Sequence, residues 1–95
     1  MSKAIQDVVY EREAQIARDG YSYTHDDKHI HGELGRAAAC YIDPNPRMHY
    51  MYNSLVNWPW SPREWKPKSR RRDLVRGAAL AIAEIERLDR LAGER

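Results

Sequence analysis

The stretch WPWSPREWKPKSRRRD, residues 58 to 73, gathers the chain's three tryptophans, three of its five prolines and six of its sixteen lysine and arginine residues. Arg70, Arg71 and Arg72 sit where a helix would begin after Ser69. Free N–H groups at a helix start, combined with guanidinium groups, make a phosphate site. The same arginines oppose the helix dipole, at a cost of about 0.3–1 kcal/mol each when exposed, so something negative must compensate them. Asp73 and Glu64 supply part of that compensation. Trp58, Trp60 and Trp65, next to Arg63, Lys66 and Lys68, offer faces on which a base can stack, worth about 1–3 kcal/mol per base. Together these residues read as a binding site for a nucleotide-type ligand, with the tryptophans as walls and Lys66, Lys68, Arg70, Arg71 and Arg72 for its phosphates. In a chain without phenylalanine the three rings would equally serve to roof a small core.

A second constellation is THDDKHIHGE, residues 24 to 33, with three of the four histidines and three carboxylates. Asp26, His29 and Glu33 are spaced by 3 and 4, which on a helix projects them from one side, and imidazole with carboxylate suits zinc, manganese or iron. No HExxH signature is present, and helix capping by the aspartates accounts for the same residues. GELGRAAACY, residues 32 to 41, is similar to the carboxylate-bearing helix of all-α nucleotide pyrophosphohydrolases. That likeness implies an alternative function, magnesium-dependent hydrolysis, with Glu33, Asp73 and Glu84 meeting at the metal. His29 stands where that family has an acid, and the Glu86 and Asp89 pair is interleaved with Arg87 and Arg90, as ordinary helix-surface ion pairs would be. Cys40 adjoins an apolar stripe and reads as packing.

The elements that must position these groups are helices. Ile5, Val8, Val9 and Ile16 fall at helical spacing, with Gly20 as a terminating residue. Ile30, Leu34, Ala37, Ala38 and Tyr41 form one stripe of a second helix, capped by Asp26 or Asp27 and ending before Pro44. The third begins at the N-cap Ser69 and stops before Gly93. It carries two apolar faces: a 4-3-4-3-4 seam of Leu74, Ala78, Ala81, Ile85, Leu88 and Ala92, and a stripe of Val75, Ala79 and Ile82. Small residues Gly77, Ala78, Ala79, Ala81 and Ala83 permit close approach to Ala37, Ala38 and Ala39. The spacing therefore predicts a single all-α domain over 1–95, with three main helices at about 2–19, 27–42 and 69–91. A long, ordered Trp- and Pro-rich loop joins the second to the third, with a short helical turn around Met48 to Val56. Tyr21, Tyr23, Tyr50 and Tyr52 fall in loops, where phenols line ligand surfaces or cover a core.

Composition narrows the function classes. A net charge of +2 is too mild for a non-specific nucleic-acid binder. One cysteine excludes an intrachain disulfide and suits a reducing cytosol, and no stretch approaches the roughly 20 apolar residues of a membrane span. A chain of 95 residues has a marginal core, so association of copies into a homo-oligomer is expected.

The ordered pattern ER at 11–12, QI at 15–16, DD at 26–27, GEL at 32–34, AAACY at 37–41, WPW at 58–60, WKP at 65–67, RRDLV at 71–75 and AEIERLDR at 83–90 resembles a family of short, uncharacterised bacteriophage and prophage proteins. Gly35 and Gly77 depart from it where alanine is commoner. The resemblance implies action in the host cell cytosol and, by analogy of lifestyle, counter-defence. The expectation is thus a protein that sequesters a nucleotide-type molecule, such as an immune second messenger, without catalysis. An inhibitor that docks on a host immune or nucleic-acid enzyme through the tryptophan loop is the other alternative.

Overall fold

The computed structural model describes residues 1–17, 23–45, 48–49 and 54–93. Its architecture is all-α: α1 Lys3–Ala17, a single turn α2 Tyr23–Asp26, α3 Glu33–Ile42 and α4 Arg70–Leu91. The loop between α3 and α4 holds a two-residue antiparallel pairing, Met48 with Leu55 and His49 with Ser54, and a 3-10 turn at Pro62–Glu64. That pairing stands where a helical turn was expected around Met48 to Val56. Gly20, Tyr21, Tyr50 and Tyr52 lie outside the described residues. No helix among the described residues is long and apolar enough to cross a membrane.

α4 is the longest helix and the others pack on it. The Ser69 hydroxyl accepts from Arg72 N at 3.2 Å, the expected N-cap, and Gly93, at φ 78°, takes the left-handed conformation that ends the helix. The second helix begins at Glu33 and not near residue 27. Gly32, at φ 78°, interrupts the chain, and Asp26 turns inward instead of capping, so Ile30 precedes the helix and is exposed. Leu34, Ala37, Ala38 and Tyr41 of α3 form the apolar core with Leu80 and Ala83 of α4. Gly77 permits this approach: a Cβ there would stand 2.6 Å from Ile42 Cγ1 and 3.0 Å from Ala38 O.

α1 docks the other way out. Its buried residues are Glu11, Arg12 and Gln15, whereas Ile5 and Val9 of its apolar stripe face outward. Charge attaches it. Arg71 pairs with Asp7 at 2.9 Å and Arg72 with Glu11. Arg12 reaches both Asp26, at 2.9 Å, and Glu86, at 2.8 Å. Asp26 has 0% of its surface exposed. α4 turns Val75 and Ala79 inward, while Leu74, Ile85 and Leu88 of the longer seam remain exposed.

Candidate functional site

The tryptophan loop is held from within and from α4. The Ser61 hydroxyl accepts from Arg63 N at 3.3 Å with Pro62 at the first helical position, which sets the 3-10 turn, and Trp58 Nε1 donates to Ser61 O at 2.9 Å. Trp65 lies 4.6 Å from the Tyr41 ring and 5.1 Å from Trp58, and Trp60 stands edge-on to Trp58 at 5.4 Å. Such pairs contribute about 0.5–1.5 kcal/mol each beyond their burial. Tyr41 anchors the loop through its hydroxyl, which accepts from Lys66 N at 3.4 Å and from Arg76 Nη1 at 3.2 Å. Arg76 also donates to Lys66 O at 2.9 Å, and its guanidinium carbon lies 5.1 Å from the centre of the Tyr41 ring.

All three tryptophans are half-buried and pack on the core, so they do serve as its roof. Trp58 and Trp60 have a second surface. They line a cleft of about 540 Å³, within the range of small-ligand sites. Glu64 and Lys66 of the loop, Glu11 and Gln15 of α1, and Arg72 and Arg76 of α4 line it too, with Tyr41 and Leu80 from the core. The expected ligand residues therefore divide. Trp58, Trp60, Lys66 and Arg72 converge on this cleft. Trp65 is used in packing against Tyr41 and Trp58, Lys68 is exposed with its backbone N–H on Asp73, and Arg70 is exposed. Arg71 lines a separate cleft of about 500 Å³ beside Asp7 and Tyr10. Glu11 and Arg72 belong to both clefts.

The negative partners of the arginine cluster are chiefly Asp7 and Glu11, one turn apart on α1. Lys3 and Arg71 hold the Asp7 carboxyl below its ordinary range. Arg76 differs: its hydrogen-bond partners are the neutral oxygens of Tyr41 and Lys66, so its charge is left to act in the cleft. Gln15 is 2% exposed, and its carbonyl oxygen has no hydrogen-bond partner among the described residues. Leaving a buried acceptor unmet costs about 1–3 kcal/mol. The sequence reading missed Gln15, Glu11 and Arg76. A signal was present for the first two, since Asp7, Glu11 and Gln15 recur every four residues along one polar face of α1.

The metal alternatives do not assemble. Asp26 is taken by Arg12, Asp73 accepts from Lys68 N at 2.7 Å, and Glu84 accepts from Arg87 at 2.6 Å. His29 Nδ1 and Glu33 Oε2 lie 3.6 Å apart as a pair. Partial burial pushes the Glu33 carboxyl up, but hydrogen bonds from its own backbone N–H, from His31 N and from His29 outweigh this and hold it low. Among the described residues no group of three or more His, Cys, Asp or Glu could hold a metal ion. Asp73 and Glu84 share a face of α4, but eleven residues of helix separate them by roughly 16 Å, too far to meet at one magnesium. Cys40 is buried, and burial together with nearby Asp43 pushes its thiol up, away from nucleophile character. Comparisons with protein-family models, with curated proteins and with solved structures find no match to this chain.

Proposed function

We propose that the protein binds and sequesters a phosphorylated, base-containing small molecule in the cleft between α1, α4 and the tryptophan loop. The observation that carries this reading is the convergence there of two tryptophans, two cations without an ion-pair partner among the described residues, and a buried acceptor left unmet. In this reading Trp58 and Trp60 face the base, Arg76 and Lys66 meet the phosphate, and Gln15 Oε1 accepts an N–H from the base edge. Arg72 contributes on exchanging Glu11 for the ligand. The ligand is held without turnover, since the acids invoked for magnesium are engaged elsewhere. The resemblance to short phage and prophage proteins supports counter-defence as the setting, with a nucleotide second messenger of host immunity as the ligand class.

The test is thermal unfolding of the purified chain against cyclic oligonucleotides, ADP-ribose derivatives and ordinary nucleoside triphosphates, with product analysis of every hit. A ligand at about 100 times its dissociation constant adds about 2.7 kcal/mol. For a domain of this size that raises Tm by roughly 10–20 °C. The shift is expected to vanish in Arg76→Ala with Lys66→Ala and to shrink in Gln15→Leu, with the ligand recovered intact. No shift with any compound refutes the reading, and conversion of a hit returns the enzyme alternative.

A further inference from the structure

We infer that two copies of this chain associate through α4, antiparallel, about a two-fold axis passing beside Ala83. The seam of Leu74, Ala78, Ala81, Ile85, Leu88 and Ala92 runs nearly the whole helix; Ala81 packs partly against the core, but the large side chains of the seam stay outside it. Leu74, Ile85 and Leu88 are 38%, 56% and 48% exposed. A second copy is the occupant because the seam complements itself in one orientation only. In an antiparallel pair, a positions face d positions of the partner. Aligning Ala81 with Ile85 of the second copy sets every residue opposite the one whose number brings the sum to 166. Leu74 then faces Ala92, Ala78 faces Leu88 and Ala81 faces Ile85, and the two-fold axis repeats each layer. All six layers join one large side chain to one small, which is the condition for filling space without voids. A parallel, in-register pair would instead stack Ala78 on Ala78 and Ala81 on Ala81, leaving two adjacent layers hollow.

The same orientation answers the dipole cost of the arginine cluster. Arg71 and Arg72 find Asp7 and Glu11 within one copy, whereas Arg70 is exposed at the positive end of its own helix. The antiparallel register lays that end beside the partner's α4 C-terminus, one turn beyond the layer of Leu74 on Ala92, where a cation is favoured. The seam lies on the flank of α4 away from Arg72 and Arg76, so the interface and the cleft are independent.

Sedimentation of the full chain between about 1 and 100 µM tests this. The wild type is expected to be a dimer at the upper end, and Leu88→Glu a monomer with its helical circular dichroism retained. The decisive pair is a size swap. Ala78→Leu and Leu88→Ala should each weaken the dimer by roughly tenfold or more, the one by crowding and the other by a cavity repeated at two layers. Together they should restore it, because residue 78 faces residue 88 of the partner. In a Cys40→Ala background, Ala78→Cys with Leu88→Cys should cross-link into a dimer on oxidation, while either cysteine alone, about 15 Å from its copy, should not. A monomeric wild type at 100 µM, a dimer indifferent to Leu88→Glu, or cross-linking by the single cysteines would overturn the inference.

Discussion

Asp26 and Arg12 offer the sharpest test of how α1 is attached. Asp26 is fully buried and its carboxylate accepts from Arg12, which also reaches the half-exposed Glu86. Removing one member of a buried pair costs about 3–5 kcal/mol, because a charge is left in low dielectric without its counter-ion. The two deletions should differ. Asp26→Leu leaves Arg12 with Glu86 at 2.8 Å and belongs near the lower value; Arg12→Met leaves a carboxylate with no exposed surface only the more distant His25, 3.6 Å away, and belongs near the upper. A 95-residue domain holds about 5–14 kcal/mol in all, so Arg12→Met should remove a third or more of the stability. The double variant buries no unpaired charge at this pair and should recover at least about 2 kcal/mol relative to the sum of the single costs. Urea unfolding followed by tryptophan fluorescence, with a common m value, measures all four corners of the cycle. Single costs below about 1 kcal/mol, or strictly additive ones, would refute the view that a buried ionic contact docks α1.

Three further outcomes follow from the geometry. Gly77→Ala gains about 1 kcal/mol of helix propensity but drives a methyl to 2.6 Å from Ile42 Cγ1 and 3.0 Å from the Ala38 carbonyl, so thermal unfolding should show a net loss of about 1–2 kcal/mol. The depressed carboxyl groups of Asp7 and Glu33 contribute stability that is complete above their ordinary values and lost as pH falls through the lowered ones. Stability should therefore hold down to about pH 4.5 and decline below it, and Asp7→Asn with Glu33→Gln should flatten that decline. Cys40, buried with its thiol pushed up, should react with a thiol reagent at pH 8 at least about a hundredfold more slowly in the native chain than in urea.

α3 and α4 were legible because an apolar stripe at helical spacing and a side-chain cap are local signals. Leu34, Ala37, Ala38 and Tyr41 lie buried as their spacing predicts, and Ser69 caps α4. Gly32 was less legible, since a left-handed glycine and a flexible one look alike in a sequence. α1 misled for a physical reason. Its apolar stripe is genuine, but the surface it meets on α4 carries Arg71, Arg72 and Glu86, so its polar face is the one that binds. Partners of that kind are separated by 61 to 74 residues and leave no local periodicity. The tryptophan loop was readable as ordered, because Trp-rich segments rarely stay solvated. That Trp58 and Trp60 line a cleft while Trp65 stacks on Tyr41 depends on Arg76 and Gln15, residues outside the loop.

The link from Arg12 to Glu86 also sets a clock for the newborn chain. The two residues are 74 positions apart, and at about 5–20 residues per second the ribosome needs roughly 4–15 s to deliver the second after the first. During that interval α1, 15 residues long, is at the margin of what holds a helix alone in water. α1 therefore gains its last ionic contact only when residue 86 arrives, well after Asp26, Arg71 and Arg72 have offered it theirs, and a chain cut short before residue 86 lacks that contact alone among the four.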